Sequence, residues 1–576
     1  MTQALGAGVA GRARAGCHAE VVRARLSSLA AWRWWPAVAA AAPFLALAAQ
    51  LLLLRRDPVV TGDVAVLDLQ ALDAASLDAR LGAYSRFGFR HPGPAMFYAV
   101  APLVAASGRA PWALHAGGLL LVAAALGAAV AVVTARAGRV AGALAALVVL
   151  VHVAAVQVGV LEVPWNPLVI VPVLALFLVL AGAVDRPGPA LAGAALSGSF
   201  LVQTHVGTAL VVGAVGLVAV GAAAAGGLAG RGWWPPAGRA RIATLVLAGL
   251  TVLAWLPPLA DQLTEQPGNL RAIASFFLHG EGDRPTGPLD AAAYVGRELD
   301  VVRGAPYLGS LTPDTVGRGR SLVVLAAAVA AAAGLVAAAG RRGLGLAARL
   351  GAVTLVGLAA AVVALTRVVG EMYWYLPLWV SALVVPLGAG WAIVAADVVR
   401  RRRPDPTPAA PDPARRGPAR AAHVPVAAAG AFAVVLTVPA LAGPVYESPA
   451  FPVEDRYRAD VVAARAMVDG VVDATDAASV AFDAPDDRPW PTVAGVVVDL
   501  ERRGVDARVT APFAAVFGEA HLAEGDEDVT VLFLPEGSPP GDGWRPLGTV
   551  AAFTVYSRAV VTGTASAADE RPATGT

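Results

Sequence analysis

The 576 residues include a single cysteine, Cys17, and no lysine, so all 44 basic residues are arginine. One thiol excludes an intramolecular disulfide and any cysteine-cluster metal site. Without lysine there is no Gly-x-x-x-x-Gly-Lys phosphate loop. Neither His-Glu-x-x-His nor a Gly-x-Ser-x-Gly elbow occurs, which sets aside standard P-loop ATPases, zincin proteases and elbow hydrolases. Charge is scarce as well: 15% of residues are charged, against about 25% in soluble domains. The arginines are dispersed among 42 acidic residues for a net charge of +2, and they form no stripe suited to a phosphate backbone, so no nucleic-acid partner is expected. What replaces charge is apolar sequence, 57% of the chain, in runs long enough to cross a bilayer. The chain reads as a polytopic membrane protein.

Apolar runs bounded by charge, Pro or Trp lie at 36–54, 93–107, 113–134, 140–160, 167–184, 188–206, 207–226, 242–260, 321–339, 350–368, 373–396 and 424–443. A crossing needs about 20 residues. The run 93–107, broken by Pro94 and Pro102, is therefore expected to be re-entrant or interfacial, leaving about 11 to 12 transmembrane helices. Arginine asymmetry orients them. Arg136 and Arg139, Arg231 to Arg241, Arg341 to Arg349 and Arg400 to Arg403 should be cytoplasmic, with the N-terminus. Trp32, Trp34, Trp35, Trp112, Trp165, Trp233, Trp234, Trp255 and Trp374 fall at span ends, where indoles anchor in the headgroup region.

The expected fold class is an all-α polytopic bundle with a small C-terminal α/β domain. Residues 1–35 form a cytoplasmic segment, and the bundle runs over 36–399 with outer loops 55–92 and 261–320. Residues 400–423 form a Pro/Arg-rich cytoplasmic linker and 424–443 the last span. An extracytoplasmic domain follows over 444–560, then a disordered tail at 561–576. From residue 444 onward there are 22 acidic residues and 10 Arg, a composition that belongs in water. The pattern there predicts helices at 457–472 and 491–503 and strands at 478–483, 506–510, 528–534 and 550–556.

Candidate chemistry concentrates at the outer edge. The first outer loop, PVVTGDVAVLDLQALDAASLDARLGAYSRFGFRHPGPAMFYAVAP, sets Asp63 just past the first span. A carboxylate there can take a proton from a sugar hydroxyl or help hold a divalent cation against a lipid phosphate. Asp68 follows, and Arg86, Arg90 and His91 offer counter-charge to a phosphate, for which the guanidinium fork is suited. His205, with Gln203 and Thr204, sits near the outer end of a span and can hydrogen-bond a sugar or a phosphate; packing alone would also account for it. Glu371 adjoins Tyr373, Trp374 and Tyr375, which can stack on a pyranose or simply belong to the interfacial belt. The 261–320 loop, with His279 to Arg284, can serve as a lid.

An acid just after span one, followed about 30 residues on by the Pro-rich aromatic HPGPAMFY, resembles the membrane glycosyltransferases of the GT-C superfamily. The likeness is to bacterial protein-mannosyltransferase and aminoarabinose-transferase relatives. It implies a GT-C-like bundle in the plasma membrane, a polyprenyl-phosphate sugar donor, an envelope glycan or protein acceptor and, often, a divalent metal such as Mg or Mn, with no nucleotide cofactor. Carried across, Asp63 matches the catalytic position and His91 to Tyr98 the segment beside the lipid carrier. This chain departs from the pattern in lacking a tight acidic pair at Asp63. Where relatives have Arg and Asp near residue 167, it has Glu162 and Asn166 in LEVPWNP. A non-catalytic transporter or envelope-assembly scaffold is the alternative, and no metal ligands are assigned from the sequence.

Overall fold

The computed structural model describes residues 32–55, 58–235, 237–279, 286–302, 309–402, 420–441 and 452–559. The expected tail, and most of the linker, of the N-terminal segment and of the His279 to Arg284 stretch, lie outside them. The chain divides into two compact units. The larger comprises residues up to Pro58 and Gln70–Phe451; the smaller comprises Val59–Leu69 and Pro452–Thr576.

The helices of the larger unit begin with α1 (Trp35–Leu54), continue after α2 (Gly62–Ala75), which the unit boundary divides, and run through α3 (Ala95–Ala106), α4 (Ala113–Ala137), α5 (Arg139–Val156) and α6 (Asn166–Ala183). They continue as α7 (Pro189–Thr204), α8 (Ala209–Gly226), α9 (Arg239–Thr264), α10 (Asn269–His279), α11 (Pro288–Leu299), α12 (Arg318–Arg342), α13 (Gly345–Leu365), α14 (Val384–Arg401) and α15 (Arg420–Leu441). Among the described residues nine helices are long and apolar enough to cross a membrane: α1, α4, α5, α6, α9, α12, α13, and the stretches Val206–Arg231 and Leu378–Arg401 that contain α8 and α14. This is fewer than the 11 to 12 expected. The run 93–107 is the 12-residue α3, about 18 Å long and too short for the hydrocarbon core. The run 188–206 is the 16-residue α7, and the apolar part of α15 is Ala427–Leu441.

Burial sorts the spans. The apolar window of α6 is 89% buried, whereas that of α9 is 6% buried. The first is the axis of the bundle, packed by α4, α7, α13 and α14; the second turns Ile242, Leu245, Val246, Leu253 and Leu256 outward, as lipid contact requires. The arginines gather at one end of the bundle. Arg136 pairs with Asp185 at 3.0 Å, Arg349 donates to the Gly182 carbonyl, and Asp397 accepts from Arg342, Arg400 and Arg401.

The smaller unit carries α16 (Pro452–Thr475), α17 (Trp490–Arg503) and strands β1 (Ser479–Asp483), β2 (Asp506–Val509), β3 (Val529–Pro535), β4 (Arg545–Val550) and β5 (Phe553–Ala559). The sheet order is β2-β1-β3-β5-β4. β1 is parallel to both β2 and β3, and β5 is antiparallel to β3 and β4. Alternating burial along β3 gives the sheet one packed face, as a period of two dictates. The helices and three of the strands match the sequence pattern within a few residues; the 550–556 run is instead the end of β4 and the start of β5.

Candidate functional site

At the end of the bundle opposite the arginine network, residues 82–93 fold back as a hairpin. Gly82 N–H donates to the His91 carbonyl, His91 N–H to Ala83 and Ser85 N–H to Phe89, with Tyr84 opposite Arg90. Gly88, at φ +78°, supplies the left-handed residue of the turn, a conformation other residues adopt at a penalty. The base of the hairpin lies against the last turn of α7. Gly93 N–H donates to the Gln203 carbonyl, and a Cβ on Gly93 would stand 2.4 Å from Gln203 Oε1 and 2.6 Å from Pro258 Cγ, so a side chain there would have to displace both. Further along, Asn269 of α10 exchanges two hydrogen bonds of 2.9 Å with the Arg90 main chain, and its own N–H is capped by Asp261.

This fold stacks the His91 and His205 rings, with centroids 4.8 Å apart and an interplanar angle of 29°. Each ring accepts a backbone N–H at Nδ1, His91 from Val206 at 3.3 Å and His205 from Gly207 at 3.2 Å. That pattern assigns both protons to Nε2. Burial, reinforced by the neighbouring His205, holds the His91 imidazole well below the usual histidine range, so His91 is neutral at physiological pH. Beside the pair, Gln203 is fully buried, and neither its Oε1 nor its Nε2 has a partner among the described residues. Thr204 Oγ1 is likewise unpartnered, while its carbonyl accepts from Asn166 Nδ2 at 3.3 Å.

The tip of the hairpin reaches a second group. Arg86 Nη2 donates to the Val369 and Glu371 carbonyls at 2.9 Å, and its guanidinium lies 5.2 Å from the Tyr373 ring. Hydrogen bonds from the Ser310 and Tyr373 hydroxyls hold the exposed Glu371 carboxyl below the ordinary glutamate range. Tyr373 and Tyr375 are parallel, 5.8 Å apart, and Trp165 meets Tyr375 edge-on at 4.6 Å. Glu162, at the other end of the short LEVPW turn, is buried, and burial alone pushes it up to about 8. Arg90 is drawn down to about 10 by burial, against the pull of Asp73, and stays cationic at neutral pH. Tyr98 is tied to the Ala79 carbonyl at 3.0 Å.

The larger unit thus brings Arg86, Arg90, His91, Tyr98, Glu162, Asn166, Gln203, His205, Glu371 and Tyr373 to one end of its bundle. The two aspartates stand apart from that list. Where an outer loop was expected, residues 62–75 are helical. Residues five apart on a helix are turned by about 140°, so Asp63, Asp68 and Asp73 point in three directions and form no acidic pair. Asp63, on the first turn and half-buried, belongs with Asp68 to the smaller unit. Asp68, expected to contact substrate, is engaged within the smaller unit. Its carboxylate is fully buried and ion-paired to Arg502 of α17, and burial raises its pKa against the opposing effect of Arg502.

Among the described residues no group of three or more His, Cys, Asp or Glu side chains could hold a metal ion. The sequence reading passed over Asn269, Asp261 and Ser310. The Gln266-Pro267-Gly268-Asn269 break between two helical runs is the signal that could have drawn attention to Asn269.

No family model and no curated protein matches the chain. Among solved structures it is similar to the crystal structure of ArnT from Cupriavidus metallidurans bound to undecaprenyl phosphate. The identity is 12%, over 91% of this chain and 97% of that one, with a TM-score of 0.42.

Proposed function

We propose that the chain is a GT-C-type membrane glycosyltransferase that moves a sugar from a polyprenyl-phosphate donor to an acceptor of the cell envelope. The observation that carries this reading is the one-sided distribution of polar groups. Two cationic side chains, two stacked imidazoles and an unpartnered amide lie on or against one hairpin, at the end of an apolar bundle remote from its arginine network. In this reading the arginine end is cytoplasmic. The hairpin end, and the residues after the last span, then face outward from the plasma membrane. A lipid whose tail lies among the spans would present its phosphate at that end.

Transfer breaks the bond between the sugar C1 and a phosphate oxygen and forms one to the acceptor oxygen, with oxocarbenium character between the two. Arg86 and Arg90 are assigned the charge that develops on the departing polyprenyl phosphate. The acceptor hydroxyl must also lose a proton. The sequence-based candidate for that role is Asp63.

A transporter would set its polar residues near the midplane between inverted halves, a placement unlike the one described above. The deciding experiment is transfer from radiolabelled polyprenyl-phosphate sugars by the purified full chain in proteoliposomes. Transfer that Asp63→Asn abolishes at equal expression supports the reading together with the role of Asp63. Undiminished transfer removes Asp63 from it, and no transfer from any donor tested leaves the transporter or scaffold ahead.

A further inference from the structure

At the end of the bundle remote from the hairpin, α12 and α14 finish side by side. Arg341 and Arg342 stand in the last turn of α12, Arg400 and Arg401 in that of α14, and Arg402 at its C-cap. One acid is set against them. Asp397, 2% exposed, accepts from Arg400 Nη2 at 2.6 Å on one oxygen, and from Arg401 Nε at 2.8 Å and Arg342 Nη1 at 3.3 Å on the other. Orienting a span requires only charge near its end; it does not require three guanidiniums converged on one buried carboxylate. That convergence fixes the guanidiniums across two helices yet leaves Arg342, Arg400 and Arg401 37%, 74% and 59% exposed. Beyond Asp397, and a contact of Arg401 Nη2 with the Arg342 carbonyl at 3.5 Å, their N–H groups have no acceptor among the described residues.

The local charge does not balance. Each helix C-terminus adds about half a negative charge, so the two termini and Asp397 together offset about two of the arginines. The excess sits above an apolar, exposed strip. Val399, Ala395 and Trp391 recur at four-residue spacing on the exposed side of α14, and Trp391 lies about 13 Å from Arg400 along the helix. Its indole N–H donates to the Ala331 carbonyl of α12 at 3.3 Å, and a Cβ on Gly334 would meet the ring at 3.8 Å, so the ring bridges the two helices. A cationic head with an apolar strip leading from it complements a phospholipid. We propose that the ends of α12 and α14 bind an anionic phospholipid with two phosphodiesters, of the cardiolipin type, its phosphates on Arg342, Arg400 and Arg401 and an acyl chain over Trp391. Guanidinium forks take phosphate oxygens in pairs, and an excess of more than one positive charge favours two phosphates over one. The inference concerns the other end of the bundle and stands without the glycosyltransferase reading.

The test is native mass spectrometry of the purified full chain, delipidated in detergent and titrated separately with cardiolipin, phosphatidylglycerol and phosphatidylcholine of matched acyl chains. Expected is retention of one cardiolipin, about fivefold or more tighter than phosphatidylglycerol, the scale of one further charge pair, with phosphatidylcholine not retained. Arg400→Gln should weaken cardiolipin about fivefold; Arg401→Gln serves in its place if that variant is not recovered. The control is Arg239→Gln. Arg239 is exposed at the first position of α9, so the variant removes the same charge from the same end of the bundle, and it should change cardiolipin affinity less than about twofold.

Each contrary result has its own meaning. Phosphatidylcholine retained as well as cardiolipin overturns the site. Phosphatidylglycerol bound as tightly as cardiolipin overturns the choice of a two-phosphate headgroup. Equal losses in Arg239→Gln and Arg400→Gln overturn the location, because diffuse attraction to a basic surface would then suffice. Cardiolipin affinity unchanged in both Arg400→Gln and Arg401→Gln leaves the cluster a structural one and refutes the proposal.

Discussion

Removing one partner of the Asp68–Arg502 pair should unfold the smaller unit far more readily than removing both. The side chains are 0% and 8% exposed, which places the pair with buried ion pairs and outside the surface class, where the worth is about 0–1 kcal/mol. Arg502→Met leaves a carboxylate in an apolar setting, and Asp68→Leu leaves a guanidinium there. Each single change is expected to be destabilising by about 3–5 kcal/mol, while replacement of both by apolar groups is close to neutral or stabilising. The second oxygen of Asp68 already has no partner, which argues for the neutral-to-stabilising end. Hydrogen exchange read by mass spectrometry on β1 and β3 peptides of the full chain would follow this unit alone. Protection factors in either single variant should fall by two to three orders of magnitude, as 1.4 kcal/mol per tenfold requires, and recover in the double variant. A double variant as unprotected as the singles, or singles indistinguishable from the parent, would refute the argument that an uncompensated buried charge is what counts.

Further expectations follow from the larger unit. Glu162 has a folded-state pKa of about 8, above its ordinary value of 4.5. Both states are therefore protonated below about pH 4.5, and stability declines as pH rises from there to about 8 because only the unfolded chain releases the proton. Glu162→Gln should match the parent near pH 4.5 and exceed it by a few kcal/mol, to order of magnitude, at pH 8; equal melting curves at both pH values would contradict this. Gly82→Ala would bring a Cβ within 2.8 and 2.9 Å of the Gly93 and Gln203 carbonyl oxygens, neither of which can retreat without opening the hairpin. A loss of about 1–3 kcal/mol is expected in thermal unfolding. Arg86→Met should forfeit the contacts to Val369 and Glu371, both donated by Nη2, because a thioether has no N–H to give. Faster hydrogen exchange confined to residues 369–375, with a melting temperature within a few degrees of the parent, is the expected result.

Much of this architecture was legible because bilayer length and the 3.6-residue and 2-residue periods leave strong marks. The spans and the strands β1, β2 and β3 fall close to where those marks put them. Segment 62–75 escaped because Asp63, Asp68 and Asp73 punctuate it like a solvated loop, yet Val64, Leu67 and Leu72 are buried and Asp68 is neutralised from residue 502. No local signal announces a partner 434 positions away. The strand β4 was missed for a different reason: Pro546 and Gly548 disfavour strand formation, and they are tolerated there because β4 is an edge strand with a bulge. At the site, the residue types were readable but their pairing was not. His91 and His205 meet through glycines that let two backbones touch, a tertiary arrangement that a spacing rule cannot anticipate.

The scant burial of α9 has a mechanical consequence. Its 26 residues extend about 39 Å at 1.5 Å per residue, of which the apolar run 242–260 covers about 28 Å, close to a hydrocarbon core of about 30 Å, so the polar ends stand in the headgroup regions and follow them when the bilayer thins or thickens. Trp255, bonded to Ser199 at 3.0 Å, fixes its rotation against α7, while Asp261 near its far end caps Asn269, which grips Arg90. A change in membrane thickness is therefore felt at the hairpin, and hydrogen-exchange protection of residues 82–93 should vary with acyl-chain length in reconstituted vesicles.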